Sequence, residues 1–412
     1  MKNSAIKSNR RTVICLGAVL LLLSLAAFAG CGSSRPATKN TTPTAPSSAP
    51  GAPPAAQNST GLPLTIPAGF AMSIFANNLS QPRVMVFDSN STMIASTPGS
   101  DRVVALPDKD NNGVADGVTV VASGLDHPHG LAFMPGDPSK LFIAETTRLA
   151  VWNYDPFTMQ ASNPTQVVAL PADGEHITRT IMFAPPPNQG KILIAVGSSQ
   201  NVGVETDPLR AAISIVNADG SGLRPFATGL RNSVFMTVHP VTGQVWANDM
   251  GRDYLGDNLP PDELNIIKDS GDYGWPYYYG KNVLDTTFVT NPATAPPVSG
   301  MTRSYVDYQA HSAPLGLAFV TSGNWPADYK YNLIVAFHGS WNRTVPTGDK
   351  LVRVRLDKQG NYLGSVDDFI TGWQQPDGSR LGRPTGITMR ADGVTFIADD
   401  QAGVIYRLAP IH

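Results

Sequence analysis

Six short apolar runs, each followed by a second run across a Gly- or Asp-containing turn, recur through most of this chain and restrict its fold. The residues heading the first run of each pair are Pro82, Pro128, His176, Asn232, Pro314 and Pro384. They are separated by 46, 48, 56, 82 and 70 residues. After Leu62 the chain has no long helical periodicity, and Gly, Pro and β-branched residues punctuate it. This pattern is typical of an all-β protein.

The period predicts a six-bladed β-propeller over residues 62–412. Units of this length match a four-stranded blade, and blades repeated around one axis form a propeller. The larger late spacings indicate insertions, which commonly carry function. A strand over residues 71–75 is expected to close the ring against residues 404–408. A pair of β-sandwiches is the structural alternative.

The N-terminal 61 residues indicate a targeting segment and a tether. An apolar run over residues 12–28 follows four basic residues and precedes Ala29-Gly30-Cys31. This layout predicts a bacterial lipoprotein signal peptide over residues 1–30, with Cys31 as the lipidated N-terminus. Residues 31–61, rich in Ser, Thr, Pro and Ala, are expected to form a flexible linker. We therefore expect an exported, membrane-anchored protein that faces the periplasm or the cell exterior; a plain secretory signal or an uncleaved anchor is the alternative.

Charge and cysteine content argue against several classes of protein. Residues 1–30 carry four Lys or Arg and no Asp or Glu, so their removal moves the formal net charge from −2 to −6. This mild acidity argues against a nucleic-acid partner. Both cysteines, Cys15 and Cys31, lie outside the predicted propeller, which excludes thiolate catalysis and cysteine-bound zinc or iron–sulfur centres there. The GxGxxG, P-loop, GxSxG and HExxH motifs are also missing.

One acidic loop has the spacing of a calcium-binding turn. Asp108, Asp110, Asn112 and Asp116 alternate around a glycine, as oxygen ligands do when a loop wraps calcium. The bidentate Glu and the flanking helices of a complete EF-hand are missing. The pattern predicts a structural calcium site, and a polar hairpin turn is the alternative.

Candidate catalytic residues head the third and fourth repeats. The early residues of an inner propeller strand point toward the central channel, so His176 is placed to act as a general base on an alcohol. Arg231 and Asn232 occupy the equivalent position in the next repeat. Together these residues suit an anionic ligand that bears a carbonyl group. A structural His and an inter-blade Arg are the alternatives.

Further cations occur near strand ends in several repeats. They are Arg179, Arg231, Arg343, Lys350 and Arg383. Their recurrence predicts a site that binds several carboxylates. Tyr273, Trp275 and Trp341 are interpreted equally well as core aromatics.

The chain resembles the soluble, PQQ-dependent glucose/sorbosone dehydrogenases over residues 64–408. The motifs that carry the resemblance are Gly229-Leu-Arg-Asn232, Asp262-Glu-Leu-Asn265, Asp272-Tyr-Gly-Trp-Pro276, His338-Gly-Ser-Trp-Asn-Arg343 and His176-x-Thr. The resemblance implies a six-bladed propeller that holds PQQ over a calcium ion in a central funnel. It also implies oxidation of a sugar by hydride transfer to the quinone.

The resemblance assigns roles to individual residues. His176 matches the family's base, and Arg231 with Asn232 matches its cofactor-binding pair, Arg231 polarising the quinone. Lys350 and Arg383 match the contacts to the PQQ carboxylates, and Arg343 is added as a further cofactor-binding residue. The family's calcium site uses two successive backbone carbonyls, which fall near Gly251 and Arg252 here, with Asp262 and Glu263 in the same region.

Three departures from the family pattern favour its sorbosone branch over its glucose branch. The family's Gly-Pro is Gly251-Arg252 here, the segment that leads to Asp262 is longer, and Ser233 follows Arg-Asn. The expected substrate is thus sorbosone or an aldose, with electrons passing to an unidentified acceptor. The alternatives are a calcium-dependent, lactonase-like hydrolase and a non-catalytic propeller that binds a glycan or a protein.

Overall fold

The apolar runs form the strands of six antiparallel sheets arranged as blades around one axis. The structure, a computed structural model, describes residues 53–412, so the predicted signal peptide and Cys31 lie outside the described residues. The first three blades are β3–β6 (Met85–Phe87, Met93–Thr97, Arg102–Leu106, Thr119–Ser123), β7–β10 (Gly130–Met134, Asp137–Ala144, Arg148–Asp155, Gln160–Ala169) and β11–β14 (Arg179–Phe183, Lys191–Val196, Ala212–Asn217, Arg224–Thr228).

Of the last three blades, blades four and five contain the insertions that lengthen the repeat. Blade four is β15, β16, β17 and β21 (Met236–Val238, Val245–Asp249, Asp262–Ile267, Val306–Tyr308), and blade five is β22–β25 (Pro314–Phe319, Leu333–Phe337, Lys350–Leu356, Tyr362–Ile370). Blade six is β26–β28 (Pro384–Met389, Thr395–Asp399, Val404–Pro410) completed by β2 (Phe70–Ala76). The six-bladed architecture predicted from the period is confirmed.

Ring closure follows the predicted pairing. Strand β2 runs antiparallel to β28, with Phe70 opposite Pro410 and Ile74 opposite Tyr406. A two-residue strand β1 (Gln57–Asn58) adds to β2 in parallel, so residues assigned to the linker by sequence also contribute to this sheet. The inner strands then lie side by side in the order β3, β7, β11, β15, β22, β26 and back to β3.

The remaining elements belong to the long fourth-blade insertion or to short turns. Three two-residue strands lie between β17 and β21, namely β18 (Gly271–Asp272), β19 (Tyr278–Tyr279) and β20 (Val283–Leu284). Strand β18 pairs in parallel with the outer strand β14 of blade three, so the insertion bridges two blades. In residues 53–412 the helical segments are short 3-10 turns at Pro98–Ser100, Pro292–Thr294, Val298–Gly300 and Ala327–Tyr329, and none of this part of the chain forms a helix of membrane-spanning length and hydropathy.

The core is divided among the six blade-to-blade interfaces. On β8, Leu141 and Ile143 pack toward blade one, whereas Phe142 and Ala144 pack toward blade three. The middle strands are therefore buried on both faces, which explains why they occur as continuous apolar runs rather than as an alternating pattern. Inner strands also approach closely: a Cβ on Gly386 would overlap the carbonyl oxygen of Arg83 in the next blade. These interfaces fix the positions of the loops at each end of the ring.

Candidate active site

At one end of the propeller, the first residues of the inner strands lie beside the last residues of the second strands. Antiparallel pairing places Arg179 opposite Val196, Pro314 opposite Phe337 and Pro384 opposite Asp399. We call this the funnel end. At the opposite end the inner strands line an apolar channel of about 520 Å³. Of the polar residues predicted from the sequence, His176, Arg231 and Asn232 lie at the funnel end.

A cavity of about 190 Å³ at the funnel end brings the predicted base and the predicted Arg-Asn pair together. We call it the His176 cavity; its lining includes His176, Arg231, Asn232, Gly251, Trp341 and Asn342. The Oδ1 atom of Asn342 is buried and has no hydrogen-bond partner in the protein. Because this oxygen is not exposed to the cavity as the side chain is arranged, it is not itself a ligand contact.

The imidazole of His176 is held as a neutral base. Its Nδ1 lies 2.8 Å from the carbonyl oxygen of Ser198 and 3.0 Å from the Ser198 hydroxyl. An N–H on Nδ1 satisfies the carbonyl, so the lone pair of the neutral ring is on Nε2. Burial, followed by the positive charge of Arg231, lowers the pKa of His176 to about 4. The ring can therefore accept a proton at neutral pH.

Two buried arginines fix the backbone at His176. The Nη1 atom of Arg179 donates to the carbonyl oxygen of His176 at 2.8 Å, and Nη1 of Arg210 donates to the same oxygen at 3.1 Å. Arg179 is completely buried, and all its recorded acceptors are backbone carbonyls. Arg179 thus fixes the backbone that precedes β11 instead of facing a ligand, unlike the role that the cation pattern predicted.

Arg231 is bound on every side by the protein. Its Nε donates to the Asn201 carbonyl oxygen at 2.8 Å, and Nη1 donates to the carbonyl oxygens of Gly251 at 2.9 Å and Met250 at 3.4 Å. Its Nη2 donates to Asn201 Oδ1 at 2.9 Å and to Asp253 Oδ2 at 3.3 Å. All five N–H groups of the guanidinium therefore have protein acceptors. What remains available to a ligand is its positive charge.

Asp249, at the end of β16, holds the Arg231–Asn232 backbone in place. Its Oδ2 accepts the N–H of Arg231 at 3.0 Å, and Oδ1 accepts the N–H of Asn232 at 2.7 Å and the Ser233 hydroxyl at 3.1 Å. Burial raises the pKa of Asp249 to about 6. In blade six, Asp399 repeats the arrangement beneath Arg383, whose N–H it accepts at 2.8 Å. The sequence analysis did not identify these aspartates, although both end a second strand.

The carboxylates of the predicted calcium region are already occupied. The Asp262 oxygens accept backbone N–H groups of Gly251 and Ala313, each at 2.9 Å. Glu263, the next residue on the strand, accepts from the Gly280 N–H at 2.6 Å. Burial raises the pKa of Asp262 to about 7 and that of Glu263 to about 8. Across residues 53–412 no three His, Cys, Asp or Glu side chains are placed to share a metal ion.

Arg252 brings a cation into this region instead. Its Nε lies 2.8 Å from Asp285 Oδ2, and both side chains are buried. Arg252, Asp249 and Glu263 line one small cavity here. As arranged, the side chains of Arg252, Asp262 and Glu263 do not fit a calcium ion, and the carbonyl oxygen of Gly251, one of the predicted ligands, accepts a hydrogen bond from Arg231 Nη1 at 2.9 Å. The calcium prediction for this region stays untested.

The other predicted cofactor contacts are dispersed. Lys350 Nζ lies 2.5 Å from Asp368, on the outermost strand of blade five. Arg343 donates to the Asp257 carbonyl oxygen at 2.6 Å. Arg383 donates to the carbonyl oxygens of His338 and Gly339 at 2.8 and 2.7 Å, beside the His176 cavity. These side chains do not line that cavity with Arg231.

In the predicted calcium loop between β5 and β6, the carboxylates accept hydrogen bonds from N–H groups of the loop itself. Asp108 accepts the N–H groups of Asn112 and Gly113, each at 3.0 Å. Asp110 accepts from the Asn112 side chain at 2.8 Å, and Asp116 accepts the Lys109 N–H at 2.7 Å. These contacts are those of a polar turn, and calcium binding here stays a prediction.

A second cavity, of about 260 Å³, adjoins the start of β11. Arg83 and Asp400 form an ion pair of 2.5 Å there, and His338 Nε2 lies 2.9 Å from the same carboxylate. His129 also lines this cavity; its Nε2 is buried without a partner, and burial lowers its pKa. The sequence analysis assigned no role to these residues.

Two family models match the chain and together cover the propeller. The TrAA12-like family matches residues 64–280, just over half of the 412 residues. The chain belongs to the TrAA12-like family. A glucose/sorbosone dehydrogenase model matches residues 211–407, which confirms the resemblance inferred from the sequence.

Relatives of this TrAA12-like chain come from bacteria and fungi. An uncharacterised protein of Borreliella burgdorferi is 29% identical over 366 residues, covering 84% of this chain and 90% of that protein. A pyrroloquinoline quinone-dependent pyranose dehydrogenase of Coprinopsis cinerea is 25% identical, covering 83% of this chain and 54% of that protein. The chain therefore spans about half the length of the fungal enzyme.

A solved structure supports the fold of the TrAA12-like chain. The holo PQQ domain of the Coprinopsis cinerea pyranose dehydrogenase superposes with a TM-score of 0.71 at 21% identity. The match covers 87% of this chain and 99% of that domain. At this identity the superposition supports the propeller architecture only.

Proposed function

We propose that this chain is a PQQ-dependent dehydrogenase that oxidises a sugar, sorbosone or an aldose, in the His176 cavity. The observation that carries the proposal is the pairing of a neutral imidazole with a buried guanidinium in one cavity. The family membership and the pyranose dehydrogenase among the relatives support an oxidoreductase that acts on sugars.

His176 is the proposed base. The Ser198 carbonyl fixes the proton on Nδ1, so Nε2 can accept the proton of a sugar hydroxyl. Arg179 and Arg210 hold the backbone of this residue, which limits the movement of the ring during proton transfer. A pKa of about 4 keeps the base unprotonated over the neutral range.

Arg231 acts through its charge. Since its N–H groups are all directed at protein acceptors, we assign it electrostatic stabilisation of negative charge that develops in the cavity. Its positive charge also disfavours protonation of His176 before the substrate arrives. Asp249 positions it by binding its backbone N–H.

The residues of the cavity are compatible with PQQ. Arg231 supplies a positive charge for a polyanionic group, and the polar side chains of Asn232 and Asn342 also line the cavity. When bound, PQQ supplies a quinone that takes a hydride equivalent from the carbon of the alcohol. We derive no step through calcium, because the side chains predicted to bind it are occupied by other partners.

The test uses purified full-length protein with added PQQ. PQQ binding is measured by absorbance titration, and activity by dye reduction with a panel of aldoses and sorbosone, with and without calcium. We expect sugar-dependent reduction that falls about 10²- to 10⁴-fold in His176→Gln, because that change removes the base. PQQ affinity should persist in this variant. Failure of the unaltered protein to bind PQQ, or full activity of His176→Gln, would contradict the proposal.

We also propose that the chain is exported and lipid-anchored at Cys31, with residues 31–61 as the tether. This proposal rests on the sequence pattern of residues 1–31 alone. Cys31→Ser should prevent incorporation of labelled fatty acid and release the protein from membranes. Equal labelling of both forms would contradict it.

A further inference from the structure

Two exposed aromatic rings stand at the rim of the His176 cavity. The side chains of Tyr254 and Trp341 are 72% and 64% exposed. Their ring centroids are 5.7 Å apart at an interplanar angle of 86°, an edge-to-face pair. Trp341 also lines the His176 cavity. An aromatic pair left largely in water at a cavity mouth calls for a functional explanation.

The two rings lie on loops that are fastened to each other. Residues 250–261 follow β16, and residues 338–349 follow β23; we call them the mouth loops. Arg343 Nη1 donates to the Asp257 carbonyl oxygen at 2.6 Å, and the Thr344 N–H donates to Asp257 Oδ1 at 3.0 Å. The first mouth loop is also held by His311, just before β22, whose Nε2 lies 2.9 Å from the Gly256 carbonyl oxygen. The rings are therefore carried by preorganised backbone.

Other apolar side chains are exposed on the same loops. Leu259 is 46% exposed and Val345 is 67% exposed. Tyr254 has a φ of +69°, a left-handed conformation that is unfavourable for a non-glycine residue. Strain and apolar exposure thus coincide in one small area beside the candidate catalytic residues, which is where both are expected to serve function.

We infer that Trp341, buttressed by Tyr254, binds the ring of the sugar substrate. A pyranose presents C–H groups on its faces and hydroxyls around its edge. The indole ring matches the C–H face, and the polar side chains that line the adjoining His176 cavity suit the hydroxyls. This inference rests on the proposed function and names the residues that select a cyclic substrate for it.

A sugar suits this surface better than a protein partner does. Two rings and two aliphatic side chains present less than the roughly 800 Å² that each side of a standard protein interface buries. Trp341 also lines the His176 cavity, which a small ligand can enter and a flat protein surface cannot. Protein docking is therefore an outcome of the test that would count against the inference.

The first experiment is independent of PQQ and of turnover. Saturation-transfer NMR on the full-length protein, with and without PQQ, measures contact with D-glucose, D-galactose and cellobiose, with acyclic sorbitol for comparison. We expect saturation of the ring C–H protons of at least one cyclic sugar, and at least a fivefold loss of that signal in Trp341→Ala. Phe157→Ala is the matched control, since Phe157 is 87% exposed on the outer turn of blade two.

The second experiment separates binding from chemistry. In PQQ-loaded protein, Trp341→Ala should raise KM for the cyclic sugar about tenfold while kcat changes less than about twofold, because stacking is made in both the bound and the transition states. Asp257→Ala, which keeps both rings but removes one contact between the mouth loops, should raise KM by a smaller factor.

The outcomes distinguish this inference from the proposed function. Failure of PQQ to bind overturns the proposed function, while the NMR measurement still tests the ring surface. Equal NMR signals in Trp341→Ala and Phe157→Ala, or no cyclic sugar in contact in either form, overturn the inference. A loss of PQQ affinity in Trp341→Ala would place the indole against the cofactor and would also overturn the inference. So would capture of a protein partner that Trp341→Ala abolishes without changing KM.

Discussion

Replacing Asp399 by Asn is expected to stabilise the propeller above pH 6. Asp399 is fully buried at the end of β27. Its Oδ1 accepts the N–H groups of Arg383 and Ala402, each at 2.8 Å, and its Oδ2 accepts the Tyr406 hydroxyl at 3.2 Å. Asn retains the acceptor oxygen at Oδ1, and its amide can donate to the tyrosine oxygen, so it reproduces the protonated acid without a titratable charge.

The magnitude follows from the raised pKa of this carboxyl. Burial raises the pKa of Asp399 from 3.8 to about 6. Between pH 3.8 and about 6, Asp399 keeps its proton in the folded state and has lost it in the unfolded state. The free energy of unfolding therefore falls as the pH rises through this range. At 1.36 kcal/mol per unit, the loss is roughly 3 kcal/mol above pH 6. Subtracting about 1 kcal/mol for the reoriented Tyr406 hydroxyl leaves a gain of about 2 kcal/mol in Asp399→Asn at pH 7.5.

Urea unfolding at pH 4, 5, 6 and 7.5 checks this expectation. The difference in midpoint between Asp399→Asn and the unaltered protein should be small at pH 4 and should grow in favour of the variant until pH 6 to 7. A variant that is less stable at pH 7.5, or a difference that does not change with pH, would refute the reasoning. Either result would mean that Asp399 is ionised in the folded protein throughout.

Further predictions concern the funnel end and the ring. Asp249→Asn should lower the free energy of unfolding by about 1–3 kcal/mol in the same urea assay. Both Asp249 oxygens accept backbone N–H groups, and the amide N–H₂ of Asn would face one of those donors. A gain in stability would contradict this. The rate of sugar oxidation should fall as the pH drops through about 4, because His176 becomes protonated there. Arg210→Met removes a positive charge near the ring, so the pH at which the rate falls should be higher in this variant. An unchanged or lower midpoint of the pH–rate profile would count against this role. Lys350→Met should change PQQ affinity by less than about twofold in an absorbance titration, since the Lys350 ammonium pairs with an aspartate on the outer strand. A tenfold loss of affinity would instead support Lys350 as a contact to the PQQ carboxylates. Gly386→Ala should lower the melting temperature, because the added Cβ meets the neighbouring inner strand.

The sequence predicted the architecture well because the propeller is determined by local pattern. Each middle strand is buried on both faces, so runs such as residues 141–144 stand out as continuous apolar segments between turns. The closing pair, β2 with β28, was also predictable, since an unpaired strand at one end requires a partner at the other. Spacing alone indicated the insertions of blades four and five.

The partners of the polar side chains were less predictable, because they depend on contacts between distant blades. The sequence brought His176 and Arg231 to the correct end of the ring, although both lie in the loops before β11 and β15 rather than on the strands themselves. Which acceptors surround Arg231 depends on Asn201 in the preceding blade and on the loop after β16, and no local pattern encodes that. Lys350 shows the converse: its position at a strand start suggested a ligand contact, whereas its side chain pairs with the outer strand.

The repeated aspartates link these two levels of organisation. Asp249 and Asp399 each end a second strand, and each accepts the backbone N–H of an arginine that precedes an inner strand. A carboxylate at this point both holds the segment before the inner strand and sets the position of the arginine. The same repeated strand pair therefore builds the blade and positions a cation at the funnel end. The raised pKa of both groups shows that their burial is unfavourable when they are charged. The backbone hydrogen bonds that hold Arg231 and Arg383 in place therefore come with a cost to stability near neutral pH.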